Sequence, residues 1–298
     1  MLEFIVSVIS LIFTITFLQT FGMYAIWFYD RRNFVADTEV PGDNTEVRFM
    51  PAIGTMLLEW LAITFLVVSY PVRLWFDASP TRSRQEGQMP VILVHGYGGT
   101  SANFLLLQWA LKKHGWNNVY AVSYTPPTID ARKLAQQVAN HINRILDITG
   151  ADKAQIICHS MGGPLTRYAM HHLGISDKIE RVITLGSPHQ GSRIAALFPE
   201  LGAAFQMRYR SDFLQQLNAL PETPGDVPFY SLYSNLDNFV LPVSSSVLGG
   251  NTKNIHVPYH GHCMLLYSPK VLAHIERCLI DQTANASPQD KDHDQDHE

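Results

Sequence analysis

The sequence contains few charged residues and few cysteines, and each scarcity excludes a class of function. Asp, Glu, Lys and Arg make up 16% of the chain, the net charge is -4, and no basic stripe is visible, so no nucleic-acid partner is indicated. The three cysteines match no zinc or redox spacing, and we interpret them as buried thiols. No G-x-x-x-x-G-K-[ST] motif occurs, which argues against a nucleotide P-loop.

Charge is absent altogether from residues 4–29, a run long enough to cross a bilayer. Glu3 precedes this run and no small-residue cleavage site follows it, so we predict an uncleaved membrane helix rather than a signal peptide. A second apolar stretch, residues 51–76, contains Glu59. We favour a second span there, and the alternative is a helix that packs on the domain or lies along the membrane surface. Residues 1–76 are thus predicted to form a membrane segment with one or two transmembrane helices.

The basic residues give conflicting indications of orientation. Arg31 and Arg32 follow the first span, which predicts a cytoplasmic loop at that point. Two spans would then place the rest of the chain outside the cytoplasm. Arg73, Arg82 and Arg84 favour the opposite arrangement. We predict the extracytoplasmic side.

Beyond a polar linker at residues 77–89, short apolar runs alternate with helical patterns over residues 90–280. This alternation predicts an α/β fold with a mostly parallel sheet and helices on both faces. The predicted strands are 91–94, 119–124, 154–158, 181–185, 228–233 and 254–257, and the predicted helices are 102–114, 129–148, 164–172 and 264–280. Residues 281–298 are rich in Asp, His and Gln and are predicted to be disordered.

The alternation breaks over residues 193–226, where apolar and polar residues mix at helical spacing. One interpretation is two helices that pack on the sheet. The other, which we favour, is a mobile helical cap whose apolar side chains face a substrate, since insertions at this place in such folds carry function.

The motif C-H-S-M-G-G at residues 158–163 lies between a predicted strand and a predicted helix. A serine on such a sharp turn projects its hydroxyl above the sheet. The helix that begins there points free N–H groups and a positive dipole end at any anion that forms beside the serine. This geometry suits acyl transfer with Ser160 as nucleophile. Cys158 stands where the pattern G-x-S-x-G has its first glycine.

A serine nucleophile needs a base, and the base needs an orienting acid. Asp237 follows a predicted strand, and it either accepts a hydrogen bond from the imidazole or caps a turn. His262 lies just before the last predicted helix. We favour it over His260 as the base, because His262 stands at the helix start whereas His260 precedes a glycine turn.

The motif H-G-Y-G-G follows the first predicted strand, and its glycines free the backbone to point N–H groups inward. We assign an oxyanion hole to the backbone N–H groups of Tyr97 and Met161, and the alternative is a plain glycine-rich turn. His189 either lines the pocket or closes a turn. His95 and His159 flank the reactive positions, and we interpret both as packed, hydrogen-bonded side chains.

In this order, the motifs resemble the bacterial triacylglycerol lipase-like family of the α/β-hydrolases from about residue 90 to residue 280. Besides the serine motif, the matching segments are H-G-Y-G at 95–98, L-G-S-P-H-Q-G-S at 185–192 and F-L-x-x-L-N at 213–218. The resemblance implies an α/β-hydrolase fold in which Ser160 is the nucleophile, His262 the base and Asp237 the orienting acid. It implies hydrolysis of carboxylic esters, often of lipids. The expected location is a bacterial inner membrane.

Two alternatives remain open. An acyltransferase would use the same triad, with an alcohol or a thiol in place of water. A membrane-tethered binding protein on an inactive hydrolase scaffold is the second, although the intact serine, aspartate and histidine argue against it. Lipid and small-ester substrates both fit, the chemistry requires no metal or organic cofactor, and the sequence does not indicate an oligomeric state.

Overall fold

The structure, a computed structural model, describes residues 1–34, 40, 47–72, 88–221, 224–225 and 227–281. Most of the predicted linker at 77–89 and the predicted tail beyond Asp281 lie outside these residues. The helices are α1 (Leu2–Asn33), α2 (Phe49–Ser69), α3 (Leu105–Lys113), α4 (Ala131–Thr149), α5 (Gly162–His172), α6 (Gly202–Gln206), α7 (Asp212–Asn218) and α8 (Pro269–Ile280). The strands are β1 (Val91–Val94), β2 (Val119–Val122), β3 (Ala154–His159), β4 (Ile179–Leu185), β5 (Phe229–Tyr233) and β6 (Lys253–His256).

The six strands form one sheet in the order β2-β1-β3-β4-β5-β6, and every neighbouring pair is parallel. The chain leaves β1 for β2 on one side and returns to β3 on the other, so the winding direction reverses at β1. In open parallel sheets, reactive groups collect beyond the carboxyl ends of the strands next to such a reversal. The motifs that follow β1 and β3 therefore meet at one edge.

Alternating strand residues supply two separate cores. Ile92 and Ile156 belong to the core beneath α4 and α5, whereas Leu93 and Ile157 belong to the core beneath α3 and α8. All six residues of β3 are buried, as expected for a strand covered by helices on both faces. The predicted α/β architecture with helices on both faces is confirmed.

The predicted last helix, 264–280, is wrong at its start. Cys263–Leu266 forms a separate 3₁₀ turn, and α8 begins only at Pro269. The Ser268 hydroxyl accepts hydrogen bonds from the N–H groups of Lys270 and Val271, which caps α8. Proline suits the first helical position, because an N–H group there would have no partner within the helix and its absence costs no hydrogen bond.

Residues 193–226 are predicted to form either two packing helices or a cap. The described part of this segment contains a 3₁₀ turn at Arg193–Leu197 followed by α6 and α7. Leu214 and Leu217 of α7 are buried in the core beneath α4 and α5. Ile194 and Met207 line a cavity at the sheet edge. The segment thus packs on the domain and also forms part of the cavity wall.

The two N-terminal helices pack on each other and on the α/β domain. Thr16 Oγ1 lies 2.8 Å from Thr64 Oγ1, which joins α1 to α2. The indole N–H of Trp27 in α1 donates to Asn235 O at 3.2 Å, and the hydroxyl of Thr55 in α2 donates to Tyr259 O at 3.0 Å. Both helices are therefore attached to the loops that follow β5 and β6.

By length and composition, both N-terminal helices could cross a membrane: an 18-residue window within Val6–Asn33 has a mean hydropathy of 1.8, and one within Phe49–Ser69 has a mean hydropathy of 1.9. One face of α2 nevertheless packs along the α/β domain. This contact agrees with the alternative prediction for residues 51–76, a helix that packs on the domain. Apolar side chains on the opposite side of α2 remain exposed, namely Leu57, Leu58, Leu61 and Val68.

Candidate active site

Ser160 occupies the turn between β3 and α5 in a backbone conformation that residues other than glycine rarely adopt. Its φ angle is 54°, in the left-handed region, where a residue other than glycine is strained. The Ser160 N–H donates to Leu185 O at 3.0 Å, which ties the turn to the end of β4. The sheet holds the serine on this turn and directs its side chain into a cavity, as the sequence motif predicts.

The loop after β1 runs directly past the serine. A Cβ atom on Gly96 would lie 2.7 Å from Ser160 Cβ, so only glycine allows this approach. Tyr97 follows on this loop, and Met161 immediately precedes α5; both residues line the same cavity as Ser160. Because the first N–H groups of a helix lack partners within the helix, the position of Met161 suits a predicted oxyanion donor, and Tyr97 approaches the same cavity from the loop after β1.

Asp237 and His262 form a buried pair between two loops. His262 Nδ1 lies 2.8 Å from Asp237 Oδ2, and both residues are at most 5% exposed. The other carboxylate oxygen, Oδ1, accepts the N–H groups of Phe239 and Val240 at 2.9 Å each. With Nδ1 donating to the carboxylate, Nε2 of a neutral imidazole is the acceptor, as a base for a serine hydroxyl requires. His262 and Ser160 line one cavity.

The environment of His262 shifts its pKa through opposing effects. Burial lowers the pKa of the imidazole, because it disfavours the charged form, while the Asp237 carboxylate raises it through its charge and its hydrogen bond. The net result is a pKa above the ordinary value of 6.5.

Gly186 makes room for this pair. Its φ angle is 53°, and a Cβ there would lie 2.7 Å from Asp237 Oδ2 and 3.1 Å from His262 Nδ1. A larger residue would be strained and would displace the carboxylate and the imidazole.

The competing histidine is engaged elsewhere. His260 Nε2 lies 2.8 Å from the Ser268 hydroxyl, and Nδ1 lies 2.9 Å from Pro258 O. Burial lowers the pKa of His260, so it is a neutral structural side chain at pH 7. Of the two candidates, the structure places His262 beside the acid.

The three other histidines considered in the sequence analysis make packing and hydrogen-bond contacts. The His95 ring stacks on Tyr124 at 4.1 Å between centroids, and His189 Nε2 lies 3.3 Å from Thr184 Oγ1 in the interior. His159 Nε2 donates to the backbone oxygen of His262 at 3.1 Å, which adds support to the histidine loop. Among the described residues, no group of three or more His, Cys, Asp or Glu side chains could hold a metal ion.

Cys158 is an interior side chain. Its sulfur lies 3.2 Å from Thr166 Oγ1, and burial raises the pKa of the thiol to about 12. A thiol with this pKa is protonated at pH 7 and is a poor nucleophile. The residue therefore fills the place of the usual glycine without adding chemistry. Cys263 and Cys278 are also buried and unbridged, as predicted.

The cavity above Ser160 has a volume of about 500 Å³. Part of its wall comes from the α/β domain and the segment after β4, including Phe198 and Phe239. The N-terminal helices supply the rest through Gln19, Ile63, Leu66, Val67 and Tyr70. Reasoning from the sequence missed this contribution, because an apolar run indicates burial or lipid without specifying which residues face a site.

The sheet order and the serine on the turn between β3 and α5, followed along the chain by an acid and a histidine, define an α/β-hydrolase. The family model described as "Lipase (class 2)" matches residues 88–272, which is more than half of the chain. The chain belongs to this lipase family, and the predicted resemblance is confirmed.

Among curated proteins, a triacylglycerol lipase of Pseudarthrobacter phenanthrenivorans is 34% identical over 114 residues, which are 36% of this chain and 35% of that protein. A triacylglycerol lipase of Vibrio cholerae is 31% identical over 133 residues, which are 42% of this chain and 41% of that protein. The chain thus aligns with less than half the length of these relatives.

Solved structures support the fold. Lipase B of Aspergillus fumigatus aligns with a TM-score of 0.60 at 20% identity, over 72% of this chain and 58% of that one. The mature form of Bacillus licheniformis lipase BlEst2 aligns with a TM-score of 0.55 at 18% identity, over 67% of this chain and 95% of that one.

The raised pKa of His262 predicts an acidic limb in the pH–rate profile. A base must be neutral, so kcat/KM for a soluble ester should fall as the pH drops through a pKa above 6.5. Asp237→Asn removes the charge that raises this pKa. It should move the limb to lower pH and lower the plateau rate by about 10⁴-fold, the loss typical for neutralising a triad acid. Acid release measured in a pH-stat gives both values, and an unmoved limb with a wild-type plateau would contradict the assignment.

Proposed function

We propose that this protein is a membrane-associated serine hydrolase that cleaves carboxylic esters of acyl lipids through Ser160, His262 and Asp237. The buried Asp237–His262 hydrogen bond beside the cavity that contains Ser160 is the observation that supports this most directly. Membership of the class 2 lipase family supports the same reaction class.

In the proposed mechanism, Ser160 Oγ attacks the ester carbonyl carbon while His262 Nε2 takes the hydroxyl proton. The N–H groups of Tyr97 and Met161 stabilise the oxyanion, and each such donor contributes about 10²- to 10³-fold in rate. The intermediate collapses, and the leaving alcohol takes the proton from His262. Water then attacks the acyl-enzyme with His262 again as base, which releases the fatty acid and restores Ser160. Asp237 holds the imidazole in the required tautomer.

The cavity wall favours a long acyl chain over a small polar group. Ile63, Leu66 and Val67 of α2 line the same cavity as Phe198 and Met207, so an acyl chain would lie among apolar side chains. The two curated relatives described above are called triacylglycerol lipases, which agrees with an acyl-lipid substrate.

The exposed apolar side chains of α1 and α2 are proposed to contact lipid. A contiguous apolar surface of this kind on a protein fits a membrane. The predicted extracytoplasmic side rests on Arg31 and Arg32 and stays a prediction. The Asp30–Arg193 ion pair at 2.7 Å attaches the arginine-bearing end of α1 to the α/β domain.

Ser160→Ala should abolish hydrolysis of p-nitrophenyl esters and labelling by a fluorophosphonate probe, because it removes the hydroxyl that attacks the ester in the proposed mechanism. Cys158→Ala, which changes the buried thiol in the same motif, is the matched control and should retain labelling. Full esterase activity in Ser160→Ala would refute the proposed function. Product analysis with an added alcohol separates hydrolysis from acyl transfer.

Leu66→Trp should narrow the cavity wall supplied by α2. We expect kcat/KM for palmitoyl and octanoyl esters to fall at least about 10-fold relative to acetyl esters, since apolar pocket contacts are worth about 1–3 kcal/mol per methylene. Leu61→Trp, on the exposed face of the same helix, is the control. Equal losses for short and long esters would contradict an acyl-binding role for this wall.

If α1 and the outer face of α2 contact lipid, the full-length chain should stay with membranes after washing with alkaline carbonate and should require detergent for release. A chain recovered in the carbonate supernatant would contradict membrane insertion. The measurement is immunodetection of the pellet and the supernatant after ultracentrifugation.

A further inference from the structure

Glu59 is a carboxylate in the middle of an otherwise apolar helix. It is 0% exposed, and an ionisable group is costly in such surroundings unless strong hydrogen bonds compensate. Its location in α2 gives it no place in a serine hydrolase motif. The contacts of its two oxygens therefore need an explanation.

Both carboxylate oxygens accept hydrogen bonds from the loop that carries His262. Glu59 Oε1 accepts the N–H of Cys263 at 2.9 Å, and Oε2 accepts the N–H of Met264 at 2.9 Å. These N–H groups begin the 3₁₀ turn at Cys263–Leu266, where N–H groups lack partners within the turn. Glu59 thus caps, from another helix, the turn that starts immediately after His262.

Gly261, which precedes His262, lies close to the same Glu59 carboxylate. A Cβ on Gly261 would lie 2.3 Å from Glu59 Oε2, so a side chain there would force the carboxylate away. One turn earlier in α2, the Thr55 hydroxyl donates to Tyr259 O. The histidine loop is therefore held on both sides of His262 by a single face of α2.

We propose that Glu59 is a positioning residue for His262: by fixing the backbone that follows the imidazole, it directs the ring toward Ser160. This inference rests on the proposed function, in which His262 is the base. It gives α2 a part in catalysis besides any contact with lipid. A displacement of about 1 Å at a reacting group can cost on the order of 100-fold in rate.

When it is ionised, Glu59 also acts on the imidazole through its charge. Burial lowers the pKa of His262, and the carboxylates of Asp237 and, secondarily, Glu59 raise it. Other titratable neighbours are His159, whose ring centroid lies 4.6 Å from that of His262, the adjacent Cys263 thiol, and the hydroxyls of Tyr24 and Tyr267, which interact electrostatically with Glu59. Burial and His262 lower the pKa of His159, whereas burial raises that of the thiol, so both are neutral at pH 7.

Glu59→Gln and Glu59→Met test the proposal in the full-length protein, with Leu58→Ala on the exposed face of α2 as the matched control. We expect Glu59→Met to lower kcat for a soluble ester on the order of 100-fold with little change in KM. Glu59→Gln, which keeps one acceptor oxygen, should lose less. Both variants should move the acidic limb of the pH profile to lower pH. Rates are expressed per active site, counted by the endpoint of fluorophosphonate labelling, so loss of folded protein does not mimic the effect.

Gly261→Ala in the otherwise wild-type chain supplies a second test, which does not depend on whether a Glu59 variant folds. In the wild type, the added methyl group displaces the carboxylate and should lower kcat. In a Glu59→Ala background the carboxylate is gone, so the methyl group of Gly261→Ala meets no obstacle and should lower kcat little further. The kcat loss of the double variant should therefore be smaller than the product of the two single losses. Multiplying losses, or Glu59 variants with wild-type kcat and an unmoved acidic limb, would overturn the positioning role. An inactive Ser160→Ala in the same series would leave the proposed function intact, whereas an active one would refute that function instead.

Discussion

The hydrogen bond of 2.8 Å between Asp237 and His262 joins two loops that share no secondary structure. A loop is the least constrained part of a fold, so a bond between two of them needs external support. Each of these loops is held by a different N-terminal helix. Trp27 of α1 bonds to the residues before Asp237, and Glu59 of α2 bonds to those after His262. The order of the site depends on these helices as well as on the sheet.

The sheet supports the nucleophile in a different manner. Ser160 stands on a turn between two regular elements, and its N–H is bonded to the end of β4. This turn belongs to the core of the domain, where strained backbone is held by dense packing. The nucleophile is therefore supported by the part that the lipase family model covers, residues 88–272. Asp237 and His262 lie within the same part, but their loops also receive hydrogen bonds from α1 and α2, which lie outside it.

Much of this arrangement can be read from the sequence. Parallel strands buried on both faces leave continuous apolar runs such as 91–94, and the serine motif has a fixed local spacing, so both were predictable. The start of α8 was misplaced because the apolar pattern continues through Cys263–Leu266, whereas Ser268 and Pro269 give the actual start signal. The role of Glu59 could not be predicted. Its partners are backbone N–H groups more than 200 residues away, and backbone groups leave no pattern in a sequence.

The shared wall of the cavity has a consequence for how this chain could change. Where a membrane anchor is only a tether, any hydrophobic helix of suitable length can replace it. Here Ile63 and Leu66 of α2 line the cavity. Glu59 and Thr55 of the same helix form hydrogen bonds with the α/β domain. Exchange of this helix for a foreign one would remove part of the cavity wall together with the hydrogen bonds to Tyr259, Cys263 and Met264. A chimaera with another N-terminal helix would therefore lose the contacts on both sides of His262, even if the new helix had the same length and hydropathy.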